Sequence, residues 1–190
     1  MRASIILAHP KAGSFNHALA AAAAAGLASA GFDVAFHDLY SEGFAPAMQA
    51  EEVDTSTFAD DLAAEHAREI VEASRIVVVH PSWFFNVPAM AKGWVDRVVR
   101  QGVAFEMRGA RIVGLLHAES ALVVTTGNAA RSFEVQVLGD PLTTFWRECV
   151  FVPAGVASVQ HVALGPVRGS SVAERRGWLE HVQQTVSAWT

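Results

Sequence analysis

The chain has 190 residues, 52% of them hydrophobic and 17% charged, with a formal net charge of −5. That balance predicts one well-buried globular domain spanning 1–190, and it excludes disorder and, with no basic stripe, a nucleic-acid partner. Apolar runs stay short of the ~20 residues a membrane span needs, and the lone Cys149 excludes an internal disulfide, which suits a reducing, cytoplasmic setting.

Strand and helix patterns alternate along the chain. Residues 3–8 predict a first strand and 15–30 a helix closed by Gly31, and residues 33–37 predict a second strand. Because the chain begins on a strand, no secretory leader is expected. A looser surface excursion over 40–58 precedes a helix at 60–73 and a third strand at 75–80. The helix at 89–101 sets Met90, Trp94, Val95, Val98 and Val99 on one face, with Lys92, Asp96 and Arg100 opposite. Residues 103–117 form an irregular or hairpin insertion, 121–126 a fourth strand and 132–148 a helix. A fifth strand lies within 150–163, and a helix over 172–189 closes the chain. Continuous β-branched runs joined by helices predict an α/β fold with three layers: a doubly wound, five-stranded parallel sheet in the order 2-1-3-4-5.

In such a sheet, ligands bind at the carboxyl ends of the strands where strand order reverses. Three loops converge there. After the first strand, His9-Pro10-Lys11-Ala12-Gly13-Ser14-Phe15-Asn16 supplies a tight turn and a serine N-cap, an arrangement suited to phosphate. After the third, Pro81-Ser82-Trp83-Phe84-Phe85 sets three adjacent aromatics at a strand end, suited to a flat ring. After the fourth, Thr125-Thr126-Gly127-Asn128 offers hydroxyls and an amide to a ring's polar edge. Together they predict a flavin site. The bland readings are a capped turn, a satellite hydrophobic cluster and a common Thr-Gly-Asn turn. The eight histidines lack ligand spacing, so no metal site is expected. The acidic stripe Asp61, Glu65, Glu69 and Glu72 reads as a solvated face, and Cys149 as a packing residue.

The run Val87-Pro88-Ala89-Met90-Ala91-Lys92-Gly93-Trp94-Val95-Asp96-Arg97-Val98, with the loop before it, resembles the second flavin loop and following helix of the flavodoxin-like NAD(P)H:quinone oxidoreductases. His9, Ser14-Phe15-Asn16 and Thr125-Thr126-Gly127 match the other two flavin loops of that family in order and spacing. The similarity is greatest to its short bacterial members, the modulator-of-drug-activity and potassium-efflux ancillary reductases. The resemblance implies FAD or FMN held at the three loops and a homodimer in which Phe105 and Met107 line the partner's substrate slot. It also implies ping-pong transfer of two electrons from NAD(P)H to a quinone or similar electron-poor aromatic. The mammalian members carry a Tyr and a His after the third loop; Phe133 and about Leu138 stand there in this chain, leaving His80, His9 or solvent as the candidate proton source. Two other functions fit the same residues: a flavin-binding regulatory subunit of a membrane transporter, and an electron-transfer flavodoxin, which the mild charge disfavours.

Overall fold

A computed structural model describes residues 1–189. Five parallel strands, β1 (Arg2–Leu7), β2 (Asp33–Asp38), β3 (Arg75–Pro81), β6 (Ser120–Thr126) and β7 (Ser158–Leu164), form a sheet in the order β2-β1-β3-β6-β7. Counting only these strands, the order is 2-1-3-4-5, as the sequence predicts. Register runs Ile5↔Val77 between β1 and β3 and Val77↔Leu122 between β3 and β6. β3, the central strand, is buried along its whole length, which explains its unbroken apolar run.

Alternation within the strands divides two cores. Ile5, Leu7, Val77, Val79, Leu122 and Val124 face α1 (Phe15–Ser29) and α6 (Val172–Ser187). The alanines of α1 let these layers approach closely, and at Gly26 a Cβ would lie 2.5 Å from the Gln183 carbonyl oxygen of α6. Ile6, Ile76, Val78 and Val123 face the other layer, α2 (Asp61–Glu72), α3 (Ala89–Val98) and the helix containing Trp146 and Phe151.

Four local expectations are corrected. The helix expected over 132–148 is two: α4 (Arg131–Gln136) and α5 (Pro141–Thr143), which continues as a π-helical stretch, Thr144–Phe151. Gly139 and Asp140 between them have φ of 73° and 55°, and Pro141 cannot extend a helix arriving from its N-terminal side. That second helix occupies the start of the segment assigned to the fifth strand, so β7 begins only at Ser158. Cys149 is exposed on it and does not pack. Arg100, expected on the polar face of α3, is buried beyond the helix end, donating to the Glu52 and Thr57 carbonyls with its guanidinium over Phe58.

The excursion after β2 is held to α3 by charge. Arg97 is fully buried and donates to Glu52 (2.7 and 2.9 Å), Asp60 (2.7 Å) and the Ala45 carbonyl (2.7 Å). These bonds hold the Glu52 carboxyl down at about 2. Gly93 permits the contact, since a Cβ there would lie 2.2 Å from the Pro46 carbonyl oxygen. The insertion is a hairpin, β4 (Phe105–Arg108) and β5 (Arg111–Gly114).

Candidate functional site

The loop leaving β1 is shaped by local bonds. The Nδ1 of His9 accepts the Lys11 N–H at 3.1 Å, the Ser14 N–H donates to the Lys11 carbonyl at 3.2 Å, and Gly13 takes φ of 68°. Ser14 caps α1, its Oγ accepting the His17 N–H at 3.4 Å. The first-turn amides of Phe15 and Asn16 have no acceptor within the helix, so they are free for an anion. Asn16 is buried and its amide donates to Thr126 Oγ1 at 2.9 Å, tying the first loop to the third. Ser82 N–H donates to the Thr126 carbonyl at 2.7 Å, tying the second loop to the third.

The aromatic loop is a tight hairpin turn. Trp83 and Asn86 exchange N–H···O bonds at 3.1 Å each, with Phe84 and Phe85 at φ of 48° and 60° between them. Two positive φ values in succession make this a type I′ geometry, which glycine and asparagine adopt without strain and phenylalanine does not. The turn separates the aromatics. Trp83 faces the His9 ring with centroids 6.3 Å apart, Phe84 is 99% exposed, and Phe85 packs on Phe133 with centroids 5.6 Å apart.

Between the loops lies a cleft of about 430 Å³ lined by His9, Ser14, Phe15, Asn16, Pro81, Ser82, Trp83, Thr126, Gly127 and Asn128. Lys11, Gly13 and Val167 complete its wall. Ten of the predicted residues are thus together. Phe84, Phe85 and Thr125 are beside the cleft and do not line it, so the expected three-ring wall is one indole with the phenylalanines at its rim.

The whole chain carries the same pattern in known proteins. A family model described as flavodoxin-like fold matches residues 1–186. The chain belongs to that family. It is 31% identical over 164 residues to the ribosyldihydronicotinamide dehydrogenase [quinone] of Pongo abelii, covering 75% of this chain and 71% of that protein. It is 28% identical over 189 residues to an NAD(P)H oxidoreductase of Haemophilus influenzae, covering 97% and 93%. Its fold superposes on the NAD(P)H:quinone oxidoreductase of Methanothermobacter marburgensis with a TM-score of 0.84 at 25% identity, covering 98% and 96%.

Against that family background, the histidines of this member separate by environment. His80 is wholly buried: its Nδ1 donates to the Pro81 carbonyl at 2.8 Å and its Nε2 accepts the Trp146 indole N–H at 2.8 Å. Burial pushes it down to about 4, and it is not among the residues that line the cleft. His9 does line the cleft, its proton affinity lowered mainly by burial.

Folding also assembles groups that linear spacing does not show. His161 bridges Thr125 Oγ1 (2.8 Å) and Thr143 Oγ1 (2.6 Å), and burial followed by nearby Arg131 lowers it to about 4. His37 lies between Glu42 (3.2 Å) and Glu69 (2.7 Å), beside His66, so Glu69 is drawn off the expected solvated stripe. His37, Glu42 and His66 approach metal-ligand spacing. However, His66 Nδ1 accepts the Trp94 indole N–H at 3.1 Å, which leaves the proton on the Nε2 that faces Glu42. The signal available in the sequence was only the alternation of β2, which places His37 on the α2 side.

Proposed function

We propose that this protein is a flavin-dependent oxidoreductase that carries two electrons from NAD(P)H to a quinone or similar electron-poor aromatic. The observation carrying the proposal is the convergence of three loops on one cleft at the switch point of the sheet, with free helix amides at one end and the Trp83 indole at the other. The donor set fits a flavin phosphate: Ser14, the amides of Phe15 and Asn16, and the positive charge of Lys11. The kinship to quinone reductases supports the reaction class. When bound, the flavin, FAD or FMN, supplies the hydride and electron chemistry. The chain's residues bind and orient it: the first loop fixes the phosphate, Trp83 walls the ring, and Gly127 and Asn128 border its polar edge. Phe133 stands in place of a hydroxyl and His80 is buried outside the cleft lining, so neither supplies a proton there and Phe133→Leu is expected to change turnover by less than tenfold.

The reading includes a single domain, a cytoplasmic setting and a homodimer. Among the described residues no helix is long and apolar enough to cross a membrane. Phe105, expected with Met107 to line the partner's slot, packs in part on its own core, while Met107 (45% exposed) and Ile112 (52%) stand out from the hairpin. A second copy would cover them and bring that hairpin to the neighbouring cleft. The test is direct. The purified protein is yellow, or takes up FMN or FAD, and bleaches with NADH or NADPH; initial-rate plots at several quinone concentrations are parallel. A protein that binds neither flavin overturns the proposal, and intersecting plots overturn the shared slot.

A further inference from the structure

Beside the cleft, Ser14, His17 and Asp38 form a chain of hydrogen bonds. Ser14 Oγ lies 2.8 Å from His17 Nδ1, and His17 Nε2 lies 3.1 Å from Asp38 Oδ2. Asp38 comes from the end of β2, where its other oxygen accepts the N–H groups of Tyr40 and Ser41 at 3.3 Å each. Among the described residues, the His9 ring also lies beside His17, with centroids 6.1 Å apart, and Lys11, His17 and Asp38 all act electrostatically on His9.

Proton counting decides what Ser14 can offer. A carboxylate only accepts, so His17 Nε2 must carry a proton toward Asp38. A neutral ring then leaves Nδ1 bare, and Nδ1 takes the single hydroxyl proton of Ser14. In that state Ser14 turns only lone pairs into the cleft, toward a phosphate that, once fully ionised, is itself only an acceptor. A second proton on the ring, at Nδ1, reverses the bond. Oγ then accepts from Nδ1–H and from the His17 backbone N–H, and its own O–H is released to donate into the cleft. All of its hydrogen-bonding capacity is used, and the imidazolium charge lies between Asp38 and the anion.

We propose that His17 and Asp38 are positioning residues that set the polarity of Ser14, so that the cleft takes up a phosphate ester together with one solvent proton held on His17. This rests on the flavin reading above and deepens it, because it makes the phosphate end of the site proton-linked and the ring end not.

The experiment compares FMN with riboflavin, which has the same ring and no phosphate, by fluorescence titration between pH 6 and 8.5. Calorimetry in two buffers of different ionisation enthalpy counts protons. The second ionisation of the phosphate, near ~6, contributes equally to wild type and His17→Gln, so their difference isolates the ring. Wild type takes up more protons with FMN than His17→Gln does, and its affinity relative to that variant falls by up to about tenfold per pH unit on the alkaline side. Asp38→Asn shrinks the difference, and riboflavin shows none. Ring ¹⁵N shifts of wild type provide a reading that needs no variant: Nδ1 changes from unprotonated to protonated when FMN binds at neutral pH. Equal proton counts with FMN bound, or an unprotonated Nδ1 in the complex, overturn this proposal and leave the flavin reading standing. Failure to bind FMN, FAD or riboflavin at any pH overturns both.

Discussion

His80 and His161 are held neutral by burial, both near 4 against an ordinary 6.5, and the folded state therefore refuses protons that the unfolded chain accepts. Stability falls as pH drops from 6.5 toward 4, each histidine contributing at most ~1.4 kcal/mol per pH unit. His37 works in the opposite sense. Burial opposes its charge, but Glu42 and Glu69 outweigh burial and raise it, so its contribution is complete below 6.5 and lost as pH rises through its higher folded value. Glu42, held at about 2 against burial by His37 and His66, contributes above 4.5 and loses its contribution on acidification toward 2. Thermal melts across pH 4 to 9 are expected to show a maximum near neutrality. His161→Gln flattens the decline between 6.5 and 5. An unchanged acid limb in that variant contradicts the assignment.

At the scale of elements, the turn at Phe84-Phe85 and the clamp at Arg97 are the two places where local preference and fold disagree. A left-handed residue other than glycine costs roughly 1–2 kcal/mol, so Phe84→Asn, which removes a 99% exposed side chain and leaves the Phe85–Phe133 contact in place, stabilises the protein by about 1 kcal/mol while lowering quinone turnover, because part of the cleft rim is lost. Urea denaturation and initial rates check both halves; a destabilised variant refutes the strain. At the clamp, Glu52→Gln leaves the fully buried Arg97 guanidinium with Asp60 as its remaining carboxylate and is expected to cost ~1–3 kcal/mol. Reduced protection of amides 44–58 from hydrogen exchange would accompany it. The loop-forming residues of the excursion were visible in the sequence, but its anchor was not. Arg97 belongs to a helix motif, and its acidic partners lie 45 and 37 positions away.

At the scale of the whole molecule, the β4–β5 hairpin leaves Met107 and Ile112 exposed. Met107→Asp with Ile112→Asp is expected to halve the molar mass seen by light scattering and to reduce turnover, since each hairpin would close the neighbour's cleft. Phe105 is a poorer choice, because its partial packing on its own core makes Phe105→Asp a stability variant as well. A wild-type protein that is monomeric at micromolar concentration and fully active overturns the dimer.

The sequence by itself determined the strand order, the layers and ten of the residues around the cleft. Periodicity and turn chemistry are local, and the convergence of loops follows from right-handed crossovers in a parallel sheet. Tertiary structure alone decided where Phe84 and Phe85 point, since their left-handed turn runs against their own preference. It alone sealed His80 behind Trp146, whereas the helix break at Gly139-Asp140-Pro141 was legible in the sequence, because proline cannot extend a helix arriving from its N-terminal side. It also brought Asp38, 21 positions away and on another element, to His17 beside the phosphate loop. No spacing rule encodes that contact: it exists because β1 and β2 are parallel neighbours whose carboxyl ends reach the same edge of the sheet.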